Sequence, residues 1–158
     1  MAVPNLTEST AYHESGHAVV AHHLGVSVVD VTLRPGRTRF AHVIEDDATV
    51  VAVYLAGHAA ERIAHPDAVT RWSGSDRAFV DRAAFNLTGD LDALDVLVDE
   101  TNIRVSEVLV EHWRSVERVA YALLVARPEC LTAADVRRLV GSRCWRATAR
   151  RAAHVASG

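Results

Sequence analysis

His13-Glu14-Ser15-Gly16-His17 sets two imidazoles four residues apart, with a carboxylate beside the first, and runs straight into the apolar stretch Ala18-Val19-Val20-Ala21. Four residues are about one turn of α-helix, so His13 and His17 share a side and can aim ring nitrogens at one metal ion. Glu14 is rotated about 100° from His13, which puts its carboxylate beside such an ion rather than on it. These are the parts of a hydrolytic zinc centre: neutral imidazoles to hold Zn2+ and a carboxylate to take a proton from water.

Two histidines leave a catalytic zinc site one protein ligand short. His23 stands where an HExxHxxGxxH pattern places its third histidine, but Val20 fills the glycine position. The only methionine is Met1, so there is no Met-turn beneath the metal. On a helix that continues through Val20, His23 points about 80° away from His13 and His22 points to the opposite side. Glu45 and Glu61 are the carboxylate candidates of a HExxH-plus-Glu site, Glu61 on a helix that can pack against the first. Asp76 follows Ser73-Gly74-Ser75 and opens a further helix, so a turn can deliver its carboxylate while the helix anchors it. Spacing alone leaves Glu61 and Asp76 open.

The elements that must carry these residues are legible from caps and breakers. A first helix is expected from near Thr7 to Gly25, then a short β-branched strand over 26–33, the turn Arg34-Pro35-Gly36-Arg37 and a second strand over 38–44, forming a small hairpin. Asp46 or Asp47 caps a helix over 48–64 that Pro66 ends. Ser73-Gly74-Ser75-Asp76 reads as a loop and cap before a third helix closing at Gly89. Residues 90–126 are helical and amphipathic, with a break near His112, and Thr132 caps a last short helix. The fold class expected is mainly α (α+β), a helical bundle-like domain over 1–141, followed by an Arg-rich tail over 142–158.

The chain has 158 residues, 49% of them apolar, enough for one domain with its own core. All seventeen basic residues are arginine, and the net charge of −3 gives no general attraction to nucleic acid. The absence of lysine excludes a P-loop. Cys130 and Cys144 make no disulfide framework, and no apolar run approaches the roughly 20 residues of a membrane span. With no signal-peptide pattern at the N-terminus, a cytoplasmic location is expected.

Ala11-Tyr12-His13-Glu14-Ser15-Gly16-His17-Ala18 resembles the AYHEAGHA motif of the FtsH-type, AAA-associated zinc metalloproteases. Leu33-Arg34-Pro35-Gly36-Arg37 is similar to that family's strand and PRG turn. Leu55-Ala56-Gly57-His58-Ala59-Ala60-Glu61-Arg62-Ile63 is similar to its LGGRAAEEI helix, and Ser73-Gly74-Ser75-Asp76 to its TGASND segment. The likeness runs in order from about residue 8 to 140. It implies Zn2+ held by His13, His17 and Asp76, with Glu14 as general base and Glu61 in a supporting role. The chain departs from the pattern at Ser15, which replaces Ala, and at His58, which replaces Arg and leaves a spare imidazole near the site. The family couples its peptidase to an ATP-driven unfoldase and membrane anchors; the sequence shows neither, so unfolding is expected to come from a separate ATPase or adaptor partner or to be unnecessary.

The function expected is therefore a zinc metallopeptidase acting on peptides or unfolded proteins, with activity falling below about pH 6 as protons displace the metal. The contrasting class is a non-catalytic zinc-binding helical module that docks a partner. A third is a regulator using the Arg-rich tail on a phosphate backbone, although nucleic acid is not the expected partner. The acidic run Asp90, Asp92, Asp95, Asp99 and Glu100 reads as a solvated helix face. Trp72, Trp113 and Trp145 read as packing residues, with Trp72 close enough to Asp76 to line a cleft. His112 and His154 read as surface residues.

Overall fold

The computed structural model describes residues 6–68 and 73–141. Helix α1 spans Leu6–His23 and is followed by strands β1 (Val28–Thr32) and β2 (Arg37–Phe40). Helices α2 (Asp47–Ala64), α3 (Gly74–Thr88), α4 (Leu91–Glu111) and α5 (Trp113–Val125) come next, then β3 (Cys130–Thr132) and α6 (Ala133–Val140). The protein is mainly helical with one small antiparallel sheet, ordered β2-β1-β3.

Helix α1 is the centre of the molecule. From Ala11 to Ala21 every residue but Tyr12 is buried, so it shows no polar face, as a helix enclosed on all sides requires. It packs on α2 along a seam of small residues: a side chain at Gly16 would collide with the carbonyl of Ala56 and the methyl of Ala60. Gly25, at φ 79°, turns the chain out of α1 toward β1. Tyr12, on the other flank, stacks on Trp113 of α5 at 5.7 Å between ring centroids, the packing role expected for that tryptophan.

Two apolar clusters meet at α2. One joins Val19 and Val20 of α1, Val31 of β1, Val53 of α2, Leu109 of α4, Val116 and Leu123 of α5, and Leu131. The other joins Val51 and Leu55 of α2 to Val80, Ala83 and Ala84 of α3 and to Leu94 and Val98 of α4. The second cluster fixes α3 in place.

Caps mark the boundaries as expected. The Asp46 carboxylate accepts from the backbone N–H of Thr49 at 2.8 Å, and α2 ends just before Pro66. Gly89 closes α3 in the left-handed region at φ 67°. Thr132 and Asp135 form a reciprocal capping box on α6.

Four expectations are corrected. The sheet has a third strand, β3, pairing Leu131 with Val31 across the far edge of β1. The second strand stops at Phe40, and 41–46 is irregular. Helix α3 already begins at Gly74, so Asp76 stands in its first turn rather than in the loop. His112 is no isolated surface residue: it joins α4 to α5, and its ring lies 5.1 Å from that of His23. The acidic run from Asp92 to Glu100 is exposed as expected, with Asp90 capping α4. Trp72, Cys144, Trp145, His154 and the tail over 142–158 lie outside the described residues. Among the described residues, no helix is long and apolar enough to cross a membrane.

Candidate metal centre

The one-turn spacing on α1 brings His13 and His17 together as the sequence requires, with their Nε2 atoms 2.9 Å apart. Asp76 meets them from α3. Val80, four residues on and fully buried, lies on the same face of that helix and presses it against α2. The Oδ2 of Asp76 lies 2.8 Å from Nε2 of His13 and 3.4 Å from Nε2 of His17. All three residues are buried. His13, His17 and Asp76 form the one cluster of metal-ligating type found among the described residues.

The chemistry of the donor set decides what belongs between these atoms. Nδ1 of His17 lies 2.7 Å from the carbonyl oxygen of Val53, which can only accept, so Nδ1 carries the proton and donates. Nε2 of neutral His17 is then a bare lone pair. Nδ1 of His13 faces Oε1 of Glu61 at 2.6 Å and donates likewise, leaving Nε2 of neutral His13 a lone pair as well. Two lone pairs and a carboxylate oxygen thus converge, and only a cation satisfies all three. Tetrahedral zinc at about 2.0–2.1 Å from each ligand holds its ligand atoms roughly 3.3 Å apart. The observed separations of 2.8, 2.9 and 3.4 Å lie within about half an ångström of that, so the residues fit a metal ion after a small adjustment.

Without a metal, a proton plays the part of the cation. Burial alone would lower the pKa of His13, but its hydrogen bonds to Asp76 and Glu61 push it up to about 10. Burial would raise the Asp76 carboxyl, yet the bonds from His13 and His17 hold it well below the usual carboxylate range.

Glu14 stands beside this cluster. Burial raises its carboxyl above the ordinary glutamate value, opposed by the nearby imidazoles of His17 and His13. Its Oε2 accepts from the hydroxyl of Thr38 at 2.9 Å. His13, Glu14, His17, Asp76, Gly36, Thr38, Phe40, Tyr54 and Phe79 border an open cavity of about 330 Å³. A second hollow of about 530 Å³ adjoins it across Phe40, Tyr54 and Phe79, and is lined further by Val43, Ile44 and Arg82.

Of the alternatives for third ligand, Glu61 reaches the cluster only through the far nitrogen of His13, and Ser9 donates to its other oxygen at 3.2 Å. Glu45 is exposed, and His22 and His23 lie at the C-terminal end of α1, outside the cluster. His58 is buried one turn before Glu61 on α2, and burial lowers its pKa. Sequence reasoning missed three contributors. Thr38 and the Val53 carbonyl carry no local signal. Gly57 does, within the small-residue run Ala56-Gly57-His58-Ala59-Ala60: a Cβ there would stand 2.5 Å from Nε2 of His17 and 2.6 Å from Nε2 of His13. The chain matches no protein-family model and no curated protein.

Proposed function

We propose that this protein is a zinc metallopeptidase of the FtsH-type class, with His13, His17 and Asp76 as zinc ligands and Glu14 as general base. The observation that carries the reading is the convergence of three potential ligand atoms with a carboxylate that lines the same open cavity but is not one of the three. A structural zinc site is usually closed by four protein ligands; three ligands beside an open cavity suit catalysis. This favours the peptidase over a non-catalytic zinc module.

When bound, zinc supplies Lewis acidity, making a water more acidic and polarising the carbonyl to be attacked. The protein's own groups do the rest. Glu14 accepts the proton of the attacking water and hands it to the departing amine nitrogen. Glu61 and the Val53 carbonyl hold both ligand imidazoles in the tautomer that turns Nε2 inward. The hollow lined by Phe40, Tyr54 and Phe79 suits a large apolar side chain next to the bond being cut, so unfolded chains or peptides are the substrates of choice.

Zinc per chain, measured by elemental analysis on wild type and Asp76→Ala, together with hydrolysis of an unfolded protein by wild type and Glu14→Gln, tests the reading. One zinc in wild type, none in Asp76→Ala, and a zinc-loaded but inactive Glu14→Gln are the expected results. Zinc-loaded wild type that cleaves nothing would shift the reading to the binding module.

A further inference from the structure

The base of the proposed reaction is held from outside its own helix. Thr38 lies on β2 opposite Val31, a fully buried residue of the central strand, so the sheet fixes where its hydroxyl stands. That hydroxyl is 2.9 Å from Oε2 of Glu14 and 3.1 Å from the backbone carbonyl oxygen of the same residue. The other carboxylate oxygen, Oε1, lies against Gly36: a Cβ there would be 3.1 Å from Oε1 and 2.5 Å from the Thr10 methyl. One oxygen is therefore gripped by a donor, and the other is bordered by backbone with no side chain.

We propose that Thr38 is a positioning residue that fixes the carboxylate of Glu14 at the wall of the cavity it lines. The inference rests on the peptidase reading for its catalytic meaning, though not for the contact itself. A glutamate side chain turns about several bonds, and a base misplaced by about 1 Å loses on the order of 100-fold in rate. A hydrogen bond from a rigid strand to an ionised oxygen is short and strong, and restrains that freedom. The second acceptor, the Glu14 backbone carbonyl, ties the same hydroxyl to helix α1. Because β2 also borders both cavities, the strand that flanks the substrate's path is the one that aims the base.

The test is a double-mutant cycle on the full chain in excess zinc, using Thr38→Val, Glu14→Ala and the double variant, with urea unfolding as readout. Valine keeps the branched shape that suits the strand and removes only the hydroxyl. The expected result is a combined effect on the unfolding equilibrium constant that departs from the product of the single effects by about tenfold, with Thr38→Ser preserving that coupling. In zinc-loaded enzyme, Thr38→Val lowers kcat by 10- to 100-fold, in line with the ~100-fold loss from a misplaced base, and moves KM less than about twofold. Independent effects in the cycle, or a Thr38→Val enzyme with wild-type kcat, overturn the proposal and leave the peptidase reading intact. Coupling that persists in a zinc-loaded protein with no hydrolytic activity upholds the contact and removes the peptidase reading instead.

Discussion

Replacing Gly57 by alanine should separate the helix from the site it carries. In an exposed helix interior, Gly→Ala is stabilising by about 1 kcal/mol, because alanine loses less backbone freedom. Gly57, however, faces the two ligand imidazoles, and the added carbon would stand 2.5 and 2.6 Å from their Nε2 atoms. Ordinary contact is about 3.5 Å, so both rings must move by close to 1 Å. Moving them breaks the bonds from Nδ1 of His17 to the Val53 carbonyl and from Nδ1 of His13 to Glu61. Each such outer contact is worth about 10- to 100-fold in metal affinity, so losing both weakens zinc binding by about 10²–10⁴-fold. Competition against a chromophoric chelator measures the affinity, and circular dichroism checks that the helices remain. A well-folded Gly57→Ala protein that binds zinc as tightly as wild type would refute the placement of the ligand rings and the reasoning built on it.

Other outcomes follow from the same geometry. Glu61→Gln keeps an acceptor near Nδ1 of His13 but removes its charge, and should weaken zinc binding by about 10-fold while leaving one zinc per chain at saturation; complete loss of zinc would make Glu61 a ligand. The metal-free protein should lose stability as pH rises. A histidine whose pKa climbs from near 6.5 to about 10 on folding adds stability that is complete below about pH 6.5 and gone once pH has passed about 10, which urea titrations across that range will show. Zinc must displace the same proton, so its apparent Kd should fall roughly tenfold per pH unit between about pH 7 and 9, with proton release visible by calorimetry in buffers of different ionisation heat. An affinity flat across that window would place no proton on His13. Phe79→Ala should raise KM severalfold for peptides with a large apolar residue beside the cut and leave zinc content unchanged; equal effects on all peptides would remove that hollow from substrate recognition.

What the sequence discloses here is what short-range physics controls. Asp46, Gly89 and Thr132 announce helix ends because each acts on backbone groups within a few residues. The HExxH spacing is a property of one helix and survives intact. The choice between Glu61 and Asp76 is not local: both carboxylates bond to His13, one at each ring nitrogen, and only the packing of α3 on α2 determines which faces the metal position. Strand β3 is illegible for a related reason. Its three residues show no alternation, and its partner β1 lies far back along the chain. The His23–His112 contact likewise needs two distant helix ends to meet.

The two apolar clusters that share α2 would also give a metal bound at this cluster a mechanical meaning. His13 and His17 belong to the helix enclosed by the larger cluster, and Asp76 to the helix held by the smaller one. An ion among them is a rivet across the seam between two cores. Chelation should release that rivet, so the helix carrying Asp76 is expected to be the segment whose amides exchange with solvent first, ahead of α1. Occupancy of the site is then written into the dynamics of α3, where hydrogen exchange can read it with no substrate present.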